Sequence, residues 1–263
     1  MFFITAGSVG FFRMASGPDS AGFHQILIPE TNSTNDECLN LADLGAPDGT
    51  LVRALRQTGG RGRSGRSWHS HPEASLTFSV LFRPQPREYP YLTRFTLLGC
   101  LALARVLSRN FGADPRIKWP NDVLLEGKKV SGVLVETLWQ NEAPSALVLG
   151  MGVNLNDQAL PPQADAVYPA GSLEGQAHIH TTPQSLLEYL LPELRRAREL
   201  LPTPGFIEEI NTCLAFKGEW VPLRTNTDTA LWVRLISVAD DGSLWAEGED
   251  GLLSRRYSAE ISG

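Results

Sequence analysis

Residues 57–68 read Gln-Thr-Gly-Gly-Arg-Gly-Arg-Ser-Gly-Arg-Ser-Trp, with four glycines and three arginines, and no acidic residue occurs from Gly49 to His71. Glycine admits backbone conformations with φ > 0 and lets the chain approach a ligand closely, so any fold of this chain has to present the stretch as a loop. Freed N–H groups in such a loop can form an anion-cradling nest. Arginine adds planar, permanently charged forks that suit phosphate and carboxylate oxygens. The Lys-Ser/Thr pair that ends a Walker A loop is missing. The loop alone leaves two readings open: a site for a phosphorylated or carboxylate-bearing ligand, or an Arg/Gly segment that touches RNA.

Composition favours the first. The 263 residues carry 23 basic and 29 acidic side chains, a net charge of −6, so the basic loop is a local exception in an acidic chain. That contrast argues against nucleic acid as the partner and points to a small anionic ligand. With 42% hydrophobic and 20% charged residues the chain is an ordinary globular one, long enough for one sizeable domain and a small one. Cys38, Cys100 and Cys213 lie far apart in apolar contexts without C-x-x-C spacing, which reads as buried small hydrophobes in a reducing compartment. Residues 1–24 hold two broken apolar pieces with no basic residue before them and read as a disordered tail, in which Met14 is an alternative start. No other stretch is expected to span a bilayer, and a cytoplasmic protein without membrane partners is expected.

In chain order, 25–29 is a short strand, and Thr34 with Glu37 has capping-box spacing before an amphipathic helix that stops at Gly45. Residues 50–57 alternate as the strand that delivers the loop, and 76–82 is a nearly continuous apolar strand. A Leu/Ala-rich helix covers 91–110 up to Gly112. Residues 116–119 form a strand ending in the Pro120-Asn121-Asp122 turn, followed by a hairpin whose turn is read as 126–129, and 146–155 is a buried strand with Gly150 and Gly152 inside it. Thr182 and Pro183 start a helix to about Leu200 that Pro192 should kink or split. After Lys217-Gly218 the periodicity changes to two, with strands over 220–223, 231–238, 244–247 and 252–261 separated by Asp-Gly turns, which suggests a small barrel.

The glycine-arginine motif of residues 60–68, followed some fifty residues later by Lys118-Trp119-Pro120-Asn121-Asp122, resembles the biotin–protein ligases of the short, monofunctional type. Ser33-Thr34-Asn35, Val130-Ser131-Gly132-Val133-Leu134-Val135-Glu136 and Gly150-Met151-Gly152-Val153-Asn154 match in the same order, and the resemblance covers roughly residues 25–263. It implies an α+β fold: a mixed-sheet catalytic domain (25–215), similar to class II aminoacyl-tRNA synthetases, with an SH3-like C-terminal barrel (216–263). Relatives that repress transcription add an N-terminal helix-turn-helix; fewer than thirty residues precede the first strand here, too few for one.

The resemblance implies biotin, ATP and Mg²⁺ as ligands and the biotin carboxyl carrier domain of a carboxylase, such as acetyl-CoA carboxylase, as acceptor. It leaves a homodimer open. Carried over residue by residue, it puts Lys118 between biotin's carboxylate and the α-phosphate, and Arg63 and Arg66 on phosphate oxygens. Gly60 and Arg61 form the inner loop against biotin and the adenylate. Ser33, Thr34 and Gln57 reach the ureido ring, Trp68 stacks near the adenine, and Asn154 contacts the adenylate. Asn121 and Asp122 either touch the nucleotide or Mg²⁺ or only stabilise their own turn. The pairs His69/His71 and His178/His180 lack a third zinc ligand. The nearest rival, a lipoate–protein ligase, shares fold and adenylate chemistry but not these two motifs.

Overall fold

The computed structural model describes residues 13–14, 18–162, 168–224 and 230–261. Most of the expected 1–24 tail therefore lies outside the described residues, although Arg13–Met14 forms a short strand, β1, against β2 (His24–Thr31). From β2 the chain passes through helix α1 (Thr34–Asp43) to β3 (Thr50–Gln57), which lies parallel to β2. The strands β4 (Ser75–Phe82), β5 (Arg116–Lys118), β6 (Asp122–Leu125), β7 (Lys128–Gln140) and β8 (Ala143–Asn154) complete an eight-stranded mixed sheet in the order β1-β2-β3-β4-β8-β7-β6-β5.

β4 explains why its sequence reads as continuously apolar: all eight of its residues are buried, on both faces of the sheet. Leu76, Phe78, Val80 and Phe82 point into the larger core, shared with helix α2 (Phe95–Phe111). Leu81 joins a smaller core beneath α1 with Ile26, Ile28, Cys38 and Val148. Thr77 and Ser79 share the alternation of Leu81 and are buried, so the α1 face carries hydroxyls that need partners.

α2 follows a 3₁₀ segment (Pro86–Arg94) and ends at Gly112, whose φ of 67° places it in the left-handed region a C-terminal glycine favours. Together Pro86–Phe111 is long and apolar enough to cross a membrane by length and composition, contrary to the sequence expectation. Its leucines are instead spent on the core. Helices α3 (Leu173–Ala177), α4 (Pro183–Leu200) and α5 (Pro204–Thr212) follow. Thr182 caps α4 by accepting the Ser185 amide at 3.1 Å. Pro192 does not split α4: Leu186, Leu187, Leu190, Leu191 and Leu194 all bury on the core, and at about 1.5–3 kcal/mol per buried side chain this outweighs one lost backbone hydrogen bond.

The C-terminal sheet is antiparallel: β9 (Trp220–Arg224), β10 (Leu231–Val238), β11 (Leu244–Gly248), β12 (Leu253–Arg256) and β13 (Glu260–Ile261), in the order β12-β11-β10-β9-β13. The single strand expected over 252–261 is thus two, because β13 crosses to the opposite edge and pairs with β9. Trp119 Nε1 donates to the Gly242 carbonyl at 3.0 Å, and Arg94 Nε to that of Asp240, pinning this sheet to the first.

Candidate functional site

At the C-terminal end of β3 a cleft of about 880 Å³ opens between the glycine loop, the N-terminus of α1, strands β7 and β8, and the edge of β13. It is large enough for two small substrates side by side.

The loop is a miniature hairpin. Gly62 N donates to Arg66 O at 2.7 Å and Trp68 N to Gly60 O at 2.8 Å, around a tip where Ser64 (φ 56°) and Gly65 (φ 74°) are left-handed. With these amides spent on the hairpin, the expected backbone nest shrinks and the loop addresses a ligand mainly through side chains. Gly60 sits behind the wall rather than on it: a Cβ there would meet Trp68 O at 2.5 Å. The Trp68 ring lies over Gly152, where a Cβ would meet it at 2.1 Å, and its Nε1 is buried without a hydrogen-bond partner among the described residues.

The three arginines differ in their contacts. Arg61 forks onto Asp36 at 2.8 and 2.5 Å, which raises its pKa further and lowers that of Asp36. Arg66 pairs with Glu260 of β13, tying the loop to the C-terminal sheet. The Arg63 side chain makes no ion pair or hydrogen bond among the described residues; burial lowers its pKa, with the Asp122 charge opposing. It lines the cleft as a cation ready for an anion.

Thr34 and Glu37, whose spacing suggests a capping box, do not form one. Ser33 takes the N-cap position without a capping hydrogen bond and faces the cleft, while Glu37 accepts from Thr31 Oγ1 at 2.6 Å instead of closing a capping box. The Thr34 amide donates to Gln57 Oε1 at 2.7 Å, so the end of β3 caps α1 from outside. Ser33, Thr34 and Gln57 line the cleft together, with Thr34 bonded to Gln57.

At the other end lies a buried carboxylate between two ammonium groups. Asp122 meets Lys118 Nζ at 2.9 Å and Lys129 Nζ at 2.7 Å. Burial alone would raise the Asp122 pKa, but the two lysines hold it below the ordinary carboxylate value. Lys118 is 1% exposed, also reaches the Ile261 carbonyl at 3.3 Å, and is not on the cleft wall. Burial lowers its pKa while Asp122 opposes the shift. Lys129, 24% exposed, is the lysine that faces the cleft. The sequence reading missed it by placing it in the hairpin turn. The turn is only Glu126-Gly127, both with positive φ, and β7 begins at Lys128, which aims Lys129 back toward Asp122. Asn121 lines the cleft while its Nδ2 donates to Val133 O at 3.0 Å, and Asn154 while its Nδ2 donates to Gly171 O at 3.0 Å. The three cysteines are free, and among the described residues no three His, Cys, Asp or Glu side chains cluster as a metal site.

Residues 25–154 match the Biotin/lipoate A/B protein ligase family. The chain is 34% identical over 234 residues to the biotin–[acetyl-CoA-carboxylase] ligase of Paracoccus denitrificans, covering 86% of this chain and 95% of that one. It is 30% identical over 247 residues to the bifunctional ligase/repressor BirA of Bacillus spizizenii, covering 91% and 74%. Among solved structures, the biotin protein ligase from Aquifex aeolicus in complex with biotin and ATP matches with a TM-score of 0.75 at 28% identity, over 90% of this chain and 97% of that one. The chain belongs to the biotin/lipoate protein ligase family, on the side of the biotin ligases.

Proposed function

We propose that the cleft joins biotin to AMP and then passes the biotinyl group to one lysine of a biotin carboxyl carrier domain. The observation that carries this reading is the polarity of the cleft: neutral hydrogen-bonding groups (Ser33, Thr34, Gln57) at one end, uncommitted or partly committed cations (Arg63, Lys129) at the other, and glycines of β7 and β8 between.

In this scheme biotin's ring lies at the neutral end, and its carboxylate points toward Lys129. The carboxylate attacks the α-phosphate of ATP, a P–O bond forms, and pyrophosphate leaves. The acceptor amine then attacks the acyl carbon of the mixed anhydride, AMP leaves, and the amine's surplus proton is released. The nucleophiles belong to the substrates, so the protein need supply only alignment and positive charge where charge accumulates. Lys129 and Arg63 meet the phosphoryl oxygens. Arg66 joins them on exchanging Glu260 for phosphate, and Trp68 stacks on the adenine on leaving Gly152. Asn121 and Asn154 border the nucleotide, and Arg61 with Gly60 shapes the loop's base. Lys118 acts from behind by holding Asp122. Both Asp122 oxygens face lysines, so Mg²⁺ is expected to enter on the ATP phosphates rather than on this carboxylate. The unpaired thiols fit a cytoplasmic setting.

The test is transfer. Incubated with biotin, ATP and an apo biotin-carrier domain, the protein should label that domain, and replacing the acceptor lysine of the domain with arginine should abolish labelling. Adenylate formation without any transfer would contradict the reading of the acceptor.

A further inference from the structure

Behind the cleft wall, a line of hydrogen bonds runs from β7 through α1 to the cleft. Asn35 Nδ2 lies 2.6 Å from Glu136 Oε2, Ser79 Oγ lies 2.6 Å from Asn35 Oδ1, and Thr34 Oγ1 lies 2.7 Å from Ser79 Oγ. Thr34, Asn35 and Ser79 are buried, and Thr34 and Asn35 border the cleft, whereas Ser79 and Glu136 do not. Gly150 on β8 presses on the carboxamide so closely that a Cβ there would lie 2.1 Å from Asn35 Oδ1.

The direction of this line follows from what each group can donate. An ionised carboxylate only accepts, so the Asn35 amide must turn its NH₂ to Glu136 and its oxygen to Ser79. The Ser79 hydroxyl has one proton and gives it to that oxygen, which leaves a lone pair facing Thr34. The Thr34 proton is drawn to Ser79. Gln57 Oε1, which accepts the Thr34 amide at 2.7 Å, lies 3.0 Å from Thr34 Oγ1 and is a second acceptor for the same hydroxyl proton. Thr34 Oγ1 is left with lone pairs for the cleft. Without an acceptor at position 136 the carboxamide can turn over, Ser79 can give its proton to Thr34, and the Thr34 proton is released to Gln57 Oε1 or to the cleft.

We propose that Glu136 is a positioning residue that fixes this direction, so that Thr34 Oγ1 meets the ligand as an acceptor and selects a ring N–H. The inference rests on the biotin reading, since biotin's ureido ring offers two N–H donors beside its carbonyl. A reversed chain would set proton against proton, leaving a buried donor unmatched.

The experiment measures adenylate formation by the full chain with biotin and with biotin methylated at either ureido nitrogen. Glu136→Met removes the acceptor, and KM for biotin should rise about tenfold while kcat and KM for ATP stay within about twofold. Preference for biotin over the methylated ring that loses the selected N–H should fall by a similar factor. Glu136→Gln, which retains an acceptor, should restore both. Ser79→Ala breaks the line away from Glu136, should reproduce the Glu136→Met pattern, and carries the test if that variant does not fold. Asp36→Asn loosens Arg61, the other group near Glu136 (3.5 Å), and should leave the preference unchanged. Wild-type KM and preference in both Glu136→Met and Ser79→Ala would overturn the proposal, as would kcat and both KM values moving together in Glu136→Met and Glu136→Gln alike. A wild-type protein that forms no biotinyl-adenylate would instead bring down the function on which the proposal stands.

Discussion

Asp122→Asn should destabilise the protein by about 3–5 kcal/mol, because it removes the carboxylate between two lysines, one of them 1% exposed, and leaves a buried ammonium unpaired. Urea unfolding measures this directly, and a loss below about 1 kcal/mol would mean that Lys118 is solvated by some other route. The same site contributes to the acid limb of stability. Its carboxyl is depressed in the folded state, so its contribution is complete above the unfolded value near pH 4 and is lost as pH falls through the lower folded value. The Asn variant should lack that part of the slope.

Lys129→Ala should slow biotinyl-adenylate formation on the order of 10²–10³-fold, the usual cost of losing one charge contact to a developing anion. Asp122 would retain Lys118, so the fold should survive. Lys118→Ala should show chiefly in stability, since that side chain is walled off from the cleft. Rapid-quench assays on both variants decide between the two lysines. If Lys118→Ala abolishes the chemistry at unchanged stability while Lys129→Ala does not, the assignment drawn from the Lys-Trp-Pro-Asn-Asp motif holds and Lys118 must leave Asp122 when ligands bind.

That pair shows how far the sequence could be read. The motifs located the cleft, because glycine-rich and arginine-rich loops leave few structural alternatives. They could not separate Lys118 from Lys129, since burial depends on where β7 begins, and a two-residue turn moved Lys129 from solvent into the site. Thr34 looked like a cap because capping is a local pattern, whereas its actual partners, Gln57 and Ser79, are brought to α1 by the sheet. Glu136 closed the Val130–Glu136 stretch that carries the resemblance, but nothing in the sequence showed what it would touch. Its importance comes from Asn35, a hundred residues earlier, arriving at 2.6 Å. Pro192 failed as a helix breaker for a similar reason: five buried leucines around it decide the matter.

The first chemical step can be followed directly with labelled ATP. The protein is incubated with ATP labelled at the α-phosphate, Mg²⁺ and either biotin or lipoate, and the acid-stable nucleotide products are separated. Labelled biotinyl-AMP should accumulate with biotin, in an amount approaching that of the enzyme, and no lipoyl-AMP should form. Lipoyl-AMP without biotinyl-AMP, or no acyl-adenylate with either acid, would contradict the account.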